Sequence, residues 1–310
     1  MPYLSLQWML KVHLYQALYD STCSIQVPQS QVTNCPSLSF SLAHNDIQSL
    51  PISKTKNSFQ VSYQSPIALK LKKTCQQPVQ SITQNLINRL ATLPPVSIPE
   101  ISNHQSPLTA FINSIWLDVE IGIAVNGWLR FTFPEKSLSL WCTHFWDTSK
   151  SDRLEQRADH LSVGDFQYIP RFDASQLTAE ARFRLQYNYA RCCLLINRLQ
   201  QVYKGSFSDL AAIAQQAASS QFTHHQAEQN LLHAVIELAD SCFSAPLKFK
   251  QPPLAQLLQL SHQTEQFCRR YADFQTEDLA LAYLKLLMTI RCLLKHCLVV
   301  EFQIEASPHL

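Results

Sequence analysis

The scarcity of glycine is the feature that most constrains this chain. Only four glycines occur in 310 residues, at Gly122, Gly127, Gly164 and Gly205, and only the first two lie within a few residues of each other. Loops that cradle phosphates need clustered glycines, because backbone N–H groups must approach the phosphate oxygens closely. We therefore expect neither a dinucleotide-binding Rossmann domain nor a P-loop nucleotide-binding domain.

Length and composition indicate a globular protein with two domains. Hydrophobic residues make up 46% of the chain, which allows each domain a buried core. The formal net charge is only +2, so any affinity for nucleic acid must come from a local basic face. The first helical segment carries Lys11, His13 and Gln16 inside its apolar pattern, which suits neither a secretory signal nor a membrane span. We expect no membrane partner.

The ten cysteines are scattered over a long chain, and several fall in helix-like segments. This pattern favours a reducing, cytoplasmic setting over a disulfide scaffold. The chain has no C-x-x-C pair, His224 and His225 are adjacent and would point apart on a helix, and Cys292 with Cys297 lacks a second pair. Zinc binding is therefore not expected, and no cofactor is expected.

The first half of the chain has the pattern of an α+β domain. Apolar spacing predicts helices over 4–18, over 67–73 and from Val79 onwards, and 21–57 reads as loop or short strand. Alternation predicts a strand over 116–125, then a turn at Asn126-Gly127 and a second strand over 128–133. On that second strand, one face carries Trp128, Arg130 and Thr132 and the other carries Leu129, Phe131 and Phe133.

Beyond 147 the pattern changes. Residues 147–173 are charged, mixed and broken by Gly164 and Pro170, which is typical of a linker. Helices are then predicted from Thr178 to about Tyr203, over 209–218, over 225–243, over 254–271 and from Thr276 to about His296. The domains are thus an α+β domain at 1–146, a linker at 147–176 and an antiparallel helix bundle at 177–310.

The helix from Thr178 carries the strongest candidate site. An apolar stripe is expected to form its core side, at Leu185, Tyr189, Cys192, Ile196, Leu199 and Tyr203. About a third of a turn away, Arg184, Tyr187, Arg191 and Arg198 share one side. Arginine pairs with phosphate and tyrosine stacks on an unstacked base, as recognition of a single-stranded loop requires. The alternative is a solvated basic face with Tyr187 half buried.

Two further sets of residues carry weaker signals. Lys70, Lys72 and Lys73, joined loosely by Lys54 and Lys56, could touch a nucleic-acid backbone without reading sequence, or could simply face solvent. In Trp141-Cys-Thr-His, a strand would place Cys142 and His144 on one face, so that a Cys–His nucleophile is conceivable. No third orienting group or oxyanion site accompanies the pair, and an aromatic-capped strand end is the preferred interpretation.

The two halves of the chain resemble the two ends of one protein family. The stretch Leu185-Gln-Tyr-Asn-Tyr-Ala-Arg-Cys-Cys, the last helix with Arg291, and the ending Gln303-Ile-Glu-Ala-Ser-Pro-His-Leu resemble the DALR anticodon-binding domain of arginyl-tRNA synthetases. The first half, with Phe59-Gln-Val-Ser-Tyr-Gln-Ser-Pro-Ile-Ala-Leu-Lys-Leu-Lys-Lys and the hairpin at Gly127, resembles the additional N-terminal domain. In that family this domain touches the tRNA elbow.

The resemblance implies a fold and a function. The fold would be an α+β N-terminal domain followed by an all-α DALR-type helix bundle, and the function would be binding of tRNA, in particular the anticodon region of an arginine tRNA. It also implies that Arg291 and the tail from Glu305 to Leu310, with Pro308, lie near the anticodon loop. The family's glycine and proline before the anticodon-helix tyrosine are replaced here by Phe183-Arg184-Leu185, which leaves the anticodon preference open.

The catalytic part of the family is missing from the sequence. Neither an HIGH-type nor a KMSKS-type motif occurs, and only the predicted linker stands where the family has its ATP-binding domain. We therefore expect a non-catalytic tRNA-binding protein of the cytoplasm. Two alternatives stay open: an adaptor that delivers tRNA to a modifying enzyme or a synthetase, and an arginine-tRNA ligase that acts only with a separate catalytic chain.

Overall fold

The computed structural model describes residues 5–22, 47, 49–55, 60–93, 107–150, 175, 177–202, 226–243, 254–270 and 277–309. The chain divides into two compact units, Met1–Ser137 with Phe243–Ala245, and Leu138–Cys242 with Pro246–Leu310. The described ranges are mostly helical, with a small antiparallel sheet. The α+β expectation is confirmed. Across these ranges, none of the helices combines the length and the apolar character that crossing a bilayer requires.

The first unit contains the sheet and several helices. Its elements are α1 (Leu6–Thr22), β1 (Ser53–Lys54), β2 (Val61–Ser65), α2 (Ile67–Cys75), α3 (Val79–Thr92), α4 (Pro107–Trp116), β3 (Glu120–Ile123) and β4 (Leu129–Phe133). The next helix, α5 (Glu135–Lys150), begins in this unit. The helices predicted for α1, α2 and α3 are confirmed.

The sheet has the strand order β1-β2-β4-β3, with every neighbouring pair antiparallel. Phe131 on β4 lies opposite Tyr63 on β2 and Ile121 on β3. Because side chains alternate along a strand, one face of β4 is buried and the other faces outward, as the sequence pattern predicted. The predicted turn is also confirmed, with Gly127 at φ 77°.

One predicted strand is shorter than expected, and another is wrong. The strand expected over 116–125 is present as β3 but begins only at Glu120, because Trp116 ends helix α4, where Ile112 and Ile115 are buried three residues apart. The strand expected at Trp141-Cys-Thr-His is the middle of helix α5. Its buried residues follow the helical spacing of three and four, at Leu138, Trp141, Cys142 and Phe145.

The second unit is helical. It contains the rest of α5, then α6 (Ala179–Val202), α7 (Gln226–Phe243), α8 (Leu254–Arg270) and α9 (Glu277–His296), which continues into a π turn (Cys297–Glu301). Helix α6 begins where expected, with Thr178 Oγ1 accepting a bond from the N–H of Ala181 at 3.1 Å. The predicted helix at 209–218 and residues 151–174 of the predicted linker lie outside the described residues.

Helices α8 and α9 both pack against α6. The predicted stripe on α6 is buried from Leu185 to Leu199, whereas Tyr203 lies outside the described residues. Buried hydrogen bonds between polar side chains also fix the orientation of α6 relative to α8. Asn188 Nδ2 on α6 donates to the carbonyl of Ser261 at 2.9 Å and to its Oγ at 2.6 Å.

Candidate nucleic-acid interface

The predicted site residues of α6 lie together on its outer side. Arg184, Tyr187, Arg191 and Arg198, called the α6 face below, fall within about 60° around the helix axis. The side chain of Arg184 is 41% exposed, Tyr187 is 36% exposed, and Arg198 is exposed. Arg191 is half-buried. The four residues therefore form one accessible cationic surface that contains a ring.

Arg191 holds this surface in shape. Its Nη1 donates to the hydroxyl of Tyr187 at 2.8 Å, and its guanidinium carbon lies 5.9 Å from the centre of the Tyr187 ring. Its Nη2 donates to the carbonyl of Cys268 at 3.3 Å, one of the last carbonyls of α8, which have no partner within their helix. Arg191 therefore fixes Tyr187 and ties α6 to α8, and part of its five-donor capacity is already used.

The sequence interpretation missed an aromatic residue of this surface. Phe183 is 60% exposed, and its ring stacks on that of Tyr187 with centroids 6.1 Å apart and planes 20° apart. Tyr187 follows Phe183 by four positions on the helix, which places the two on one side, so the signal was present in the sequence. Leu194, 52% exposed, continues the apolar row along α6.

Further cations lie at the end of α8. Arg269 and Arg270 directly follow Cys268, whose carbonyl Arg191 contacts, and both are exposed. Arg269 pairs with Glu265 on its own helix, as Arg184 pairs with Glu180 at 3.0 Å. Exposed pairs of this kind contribute only a few tenths of a kcal/mol, roughly 0.3–0.5. A phosphate group can therefore replace the carboxylate partner at little cost.

The C-terminal tail lies beside α6. Gln186 Nε2 donates to the carbonyl of Glu305 at 3.2 Å, and Ile304 is buried. Its N–H donates to the carbonyl of Leu298 at 2.8 Å. Pro308 is exposed. Gln186 lies about 100° around the helix from Tyr187, so the tail runs along one edge of the α6 face.

Arg291 is not part of the α6 face. It is half-buried on α9, and its charge acts on Tyr189, Cys192 and Cys193 of α6. Burial raises the pKa of the Cys193 thiol, and the charge of Arg291 opposes this rise. These neighbours lie on the buried side of α6, so Arg291 acts there and is not brought into the α6 face.

The predicted lysines belong to the first unit. Lys70, Lys72 and Lys73 are exposed on α2, but they spread over about 160° of the helix surface and do not form a row. Lys72 and Lys73 stand in the last turn of α2, where cations also favour the helix dipole. Lys54 is half-buried on β1, and Lys56 lies outside the described residues.

The structure does not bring Cys142 and His144 together as a Cys–His pair. On helix α5, residues two apart do not face each other, so Cys142 and His144 do not share a side. Burial raises the pKa of the Cys142 thiol to about 12 and lowers that of His144 to about 4. A thiolate is therefore disfavoured at Cys142.

One buried amine was not foreseen. Lys285 Nζ on α9 donates to Ser139 Oγ on α5 at 2.8 Å, and both residues are almost fully buried. Burial lowers the pKa of Lys285. A lysine that contacts a serine can activate it as a nucleophile, but here the pair is enclosed between two helices, and it serves to join them.

A scan against protein-family models and searches of curated proteins and of solved structures found no match to this chain. Its function is therefore inferred from the α6 face and from the sequence resemblance. Within the described ranges, no group of three or more histidine, cysteine or acidic residues could hold a metal ion.

Proposed function

We propose that this chain is a non-catalytic tRNA-binding protein of the cytoplasm, and that its second unit, a DALR-type helix bundle, binds the anticodon stem-loop of an arginine tRNA. One observation carries the proposal: the α6 face combines exposed arginines with a ring that a further arginine holds in place. Phosphate pairing and base stacking together are what recognition of an unpaired RNA loop requires.

Each residue of the α6 face has its own role. Arg184 and Arg198 bind phosphates of the loop, because their guanidinium groups are exposed. Tyr187 stacks on an unpaired base, and Arg191 positions it through the bond to its hydroxyl. Pro308 and the tail form the edge of the site beside Gln186. Lys70, Lys72 and Lys73 add contacts to the RNA backbone through the first unit.

Binding of a fluorescent anticodon stem-loop, followed by anisotropy, tests the proposal. The triple variant Arg184→Ala, Arg191→Ala, Arg198→Ala should bind at least about a hundredfold more weakly, since a charge-assisted hydrogen bond contributes roughly 1.5–3 kcal/mol. The matched control is Arg182→Ala, which removes an exposed arginine from the same helix about 160–180° around the helix axis from these residues. It should bind as the wild type does.

Circular dichroism should show equal helicity in all three proteins, because the buried stripe of α6 from Leu185 to Leu199 is unchanged. Unchanged binding by a folded triple variant would exclude the α6 face as the RNA site. An ATP–pyrophosphate exchange assay with arginine and tRNA checks the non-catalytic part of the proposal. We expect no exchange, and arginine-dependent exchange by the purified chain would contradict it.

A further inference from the structure

Phe183 adds a second ring beside Tyr187 on the outer surface of α6. It is 60% exposed, and its ring plane lies 20° from that of Tyr187, with the centroids 6.1 Å apart. The hydroxyl of Tyr187 in turn accepts a bond from Nη1 of Arg191 at 2.8 Å. Two nearly parallel rings are therefore held at the surface before any partner binds, which reduces the entropy that binding costs.

We propose that Phe183 and Tyr187 stack on two successive unpaired bases, so that the α6 face takes up a single-stranded segment of the anticodon loop and distinguishes it from a double helix. The inference rests on the proposed function for the identity of the RNA. It adds Phe183 as a second base-stacking residue, and it sets the smallest ligand of this surface at two unpaired nucleotides.

Rings and arginines lie in separate rows along α6. With roughly 100° per residue, Phe183 lies about 40° to one side of Tyr187. The arginines lie about 20–60° to its other side, at Arg184, Arg191 and Arg198. A nucleotide likewise has a flat base on one side and a charged phosphate on the other. A strand that runs along α6 can therefore stack its bases on the rings while its phosphates pair with the guanidinium groups.

The elements beside α6 continue this order. Helix α8 lies on the arginine side, where Arg191 contacts it, and its last two residues are exposed arginines. The tail lies on the ring side, because the residue that contacts it, Gln186, is about 60° beyond Phe183. From Gln303 to Leu310 the tail contains no lysine or arginine. An occupant with negative charge along one side only fits this arrangement, and a strand of unpaired nucleotides has that form.

A double helix does not offer the same contacts. Its bases are already stacked on one another, and the major groove of an RNA helix is too deep and narrow for side chains to reach them. Rings on the convex surface of α6 can therefore stack only on bases that are unpaired. The phosphates of a duplex can still pair with the arginines, so the rings, and not the cations, distinguish the two forms of RNA.

Anisotropy titrations with three fluorescent RNAs test the proposal: the anticodon stem-loop, an unstructured oligouridylate and a duplex with the stem sequence. Phe183→Ala should weaken binding of the stem-loop and of the oligouridylate about five- to hundredfold, which is the effect of removing one stacking ring. Its effect on the duplex should be less than about twofold. The salt dependence should stay as in the wild type, because no charge is removed.

Variants separate stacking from apolar contact. Phe183→Trp keeps an aromatic face and should bind as tightly as the wild type, whereas Phe183→Leu, which is apolar but has no ring, should bind as weakly as Phe183→Ala. The matched control is Leu194→Ala, which removes another exposed apolar side chain of α6 and should change binding less than about twofold. Thermal melting should show little change in any variant, because both positions are exposed.

Abasic substitutions in the stem-loop locate the two bases. Where the base that stacks on Phe183 is missing, Phe183→Ala should cause no further loss of affinity, because the contact is already absent. Tyr187→Ala should behave in the same way at an adjacent nucleotide. If both variants lost their effect at one and the same nucleotide, or at none, two successive stacked bases would be excluded.

Failure of the proposed function and failure of this inference give different results. If the triple arginine variant loses binding while Phe183→Ala binds the stem-loop as the wild type does, the α6 face still binds RNA. The inference is then wrong, and a protein partner becomes the occupant of the exposed ring.

If the wild type binds the oligouridylate but not the stem-loop, the anticodon assignment fails, and the effect of Phe183→Ala on the oligouridylate still decides the inference. Absence of binding to both RNAs would overturn the inference together with the proposed function. An equal loss of affinity for the duplex in Phe183→Ala would overturn the inference alone.

Discussion

At the scale of single residues, His13 is the most unusual group of the first unit. Its ring lies flat on Trp116, with centroids 3.8 Å apart and planes 14° apart, and its Nδ1–H donates to the carbonyl of Met9 at 2.9 Å. Its Nε2 is buried and meets no hydrogen-bond partner in the described part of the chain. Burial lowers the pKa of His13 to about 4, so the imidazole is neutral in the folded protein.

This pKa predicts a loss of stability in mild acid. The folded pKa lies below the ordinary value of 6.5, so the unfolded chain takes up the proton first. The stabilisation is complete above about pH 6.5 and declines as pH falls towards about 4, by about 2.5 kcal/mol at about pH 4.5. Melting curves at about pH 7 and about pH 4.5 should show a smaller decrease for His13→Phe than for the wild type.

His144, whose pKa is also lowered to about 4, is present in both proteins, so the difference between them reports on His13 alone. An equal decrease in both proteins would show that His13 does not carry the effect.

The buried pair of Tyr283 and Glu228 gives a second prediction at this scale. The Tyr283 hydroxyl on α9 donates to the Glu228 carboxylate on α7, and both residues are almost fully buried. Tyr283→Phe should lower the free energy of unfolding by about 2–3 kcal/mol, because it removes a donor from a buried charged group. Urea titration measures this loss.

Tyr187→Phe is the matched control for this measurement. It removes the same hydroxyl from an exposed ring and should change stability by less than about 0.5 kcal/mol. Equal effects of the two substitutions would mean that the buried bond contributes nothing beyond a surface one.

At the scale of elements, the β3–β4 hairpin depends on one glycine. Gly127 has φ 77°, and a Cβ atom there would lie 3.3 Å from Val79 Cγ1 on α3. Gly127→Ala should therefore cost about 1–2 kcal/mol, since alanine rarely adopts this backbone conformation and Val79 would have to move.

Gly122 on β3 offers the comparison. A Cβ atom there meets nothing within 4 Å, and a glycine inside a strand is itself unfavourable. Gly122→Ala should be neutral or slightly stabilising in the same thermal unfolding experiment. A destabilisation as large as that of Gly127→Ala would contradict the conformational explanation.

The elements that the sequence predicted correctly are those with long periodic patterns or a marked turn. Helices α6 to α9 and the hairpin at Gly127 are in this group. Helix α4 is not predicted, because its ten residues precede an alternating stretch that favours one longer strand. In helix α5, Cys142 and His144 alternate as in a strand, although the spacing from Leu138 to Phe145 is helical. In both cases a local two-residue alternation conceals the helical pattern.

The candidate site was predictable only along its own helix. Arg184, Tyr187, Arg191 and Arg198 share a side because of helical spacing, which the sequence contains. The bond from Arg191 to the carbonyl of Cys268 spans 77 residues. That from Gln186 to Glu305 spans 119. Such contacts depend on how α8 and the tail pack on α6, and no local pattern predicts them.

At the scale of the whole molecule, positive and negative charges nearly balance. The chain has 25 basic and 23 acidic residues, so its overall field favours neither RNA nor any other polyanion. Under the proposed function, the arginines of the α6 face act locally, and the salt dependence of RNA binding would report how many phosphates they contact. The logarithm of the binding constant should fall with the logarithm of salt concentration, with a slope of about −0.7 to −0.9 per phosphate contact.

This relation gives a prediction that separates the two units. The triple variant Arg184→Ala, Arg191→Ala, Arg198→Ala should reduce the salt slope by the equivalent of about two phosphate contacts, for both a complete tRNA and an isolated anticodon stem-loop. The variant Lys70→Ala, Lys72→Ala, Lys73→Ala should reduce it for the complete tRNA alone, because these lysines belong to the first unit, which is proposed to contact RNA outside the stem-loop.

Anisotropy titrations of both RNAs over a range of salt concentrations measure the slopes, and Arg182→Ala serves as the charge control. If the lysine variant lowered the slope equally for both RNAs, the lysines would be acting as a general basic surface. The proposal that the two units contact different parts of the tRNA would then be wrong. The triple arginine variant would still test the role of the α6 face independently.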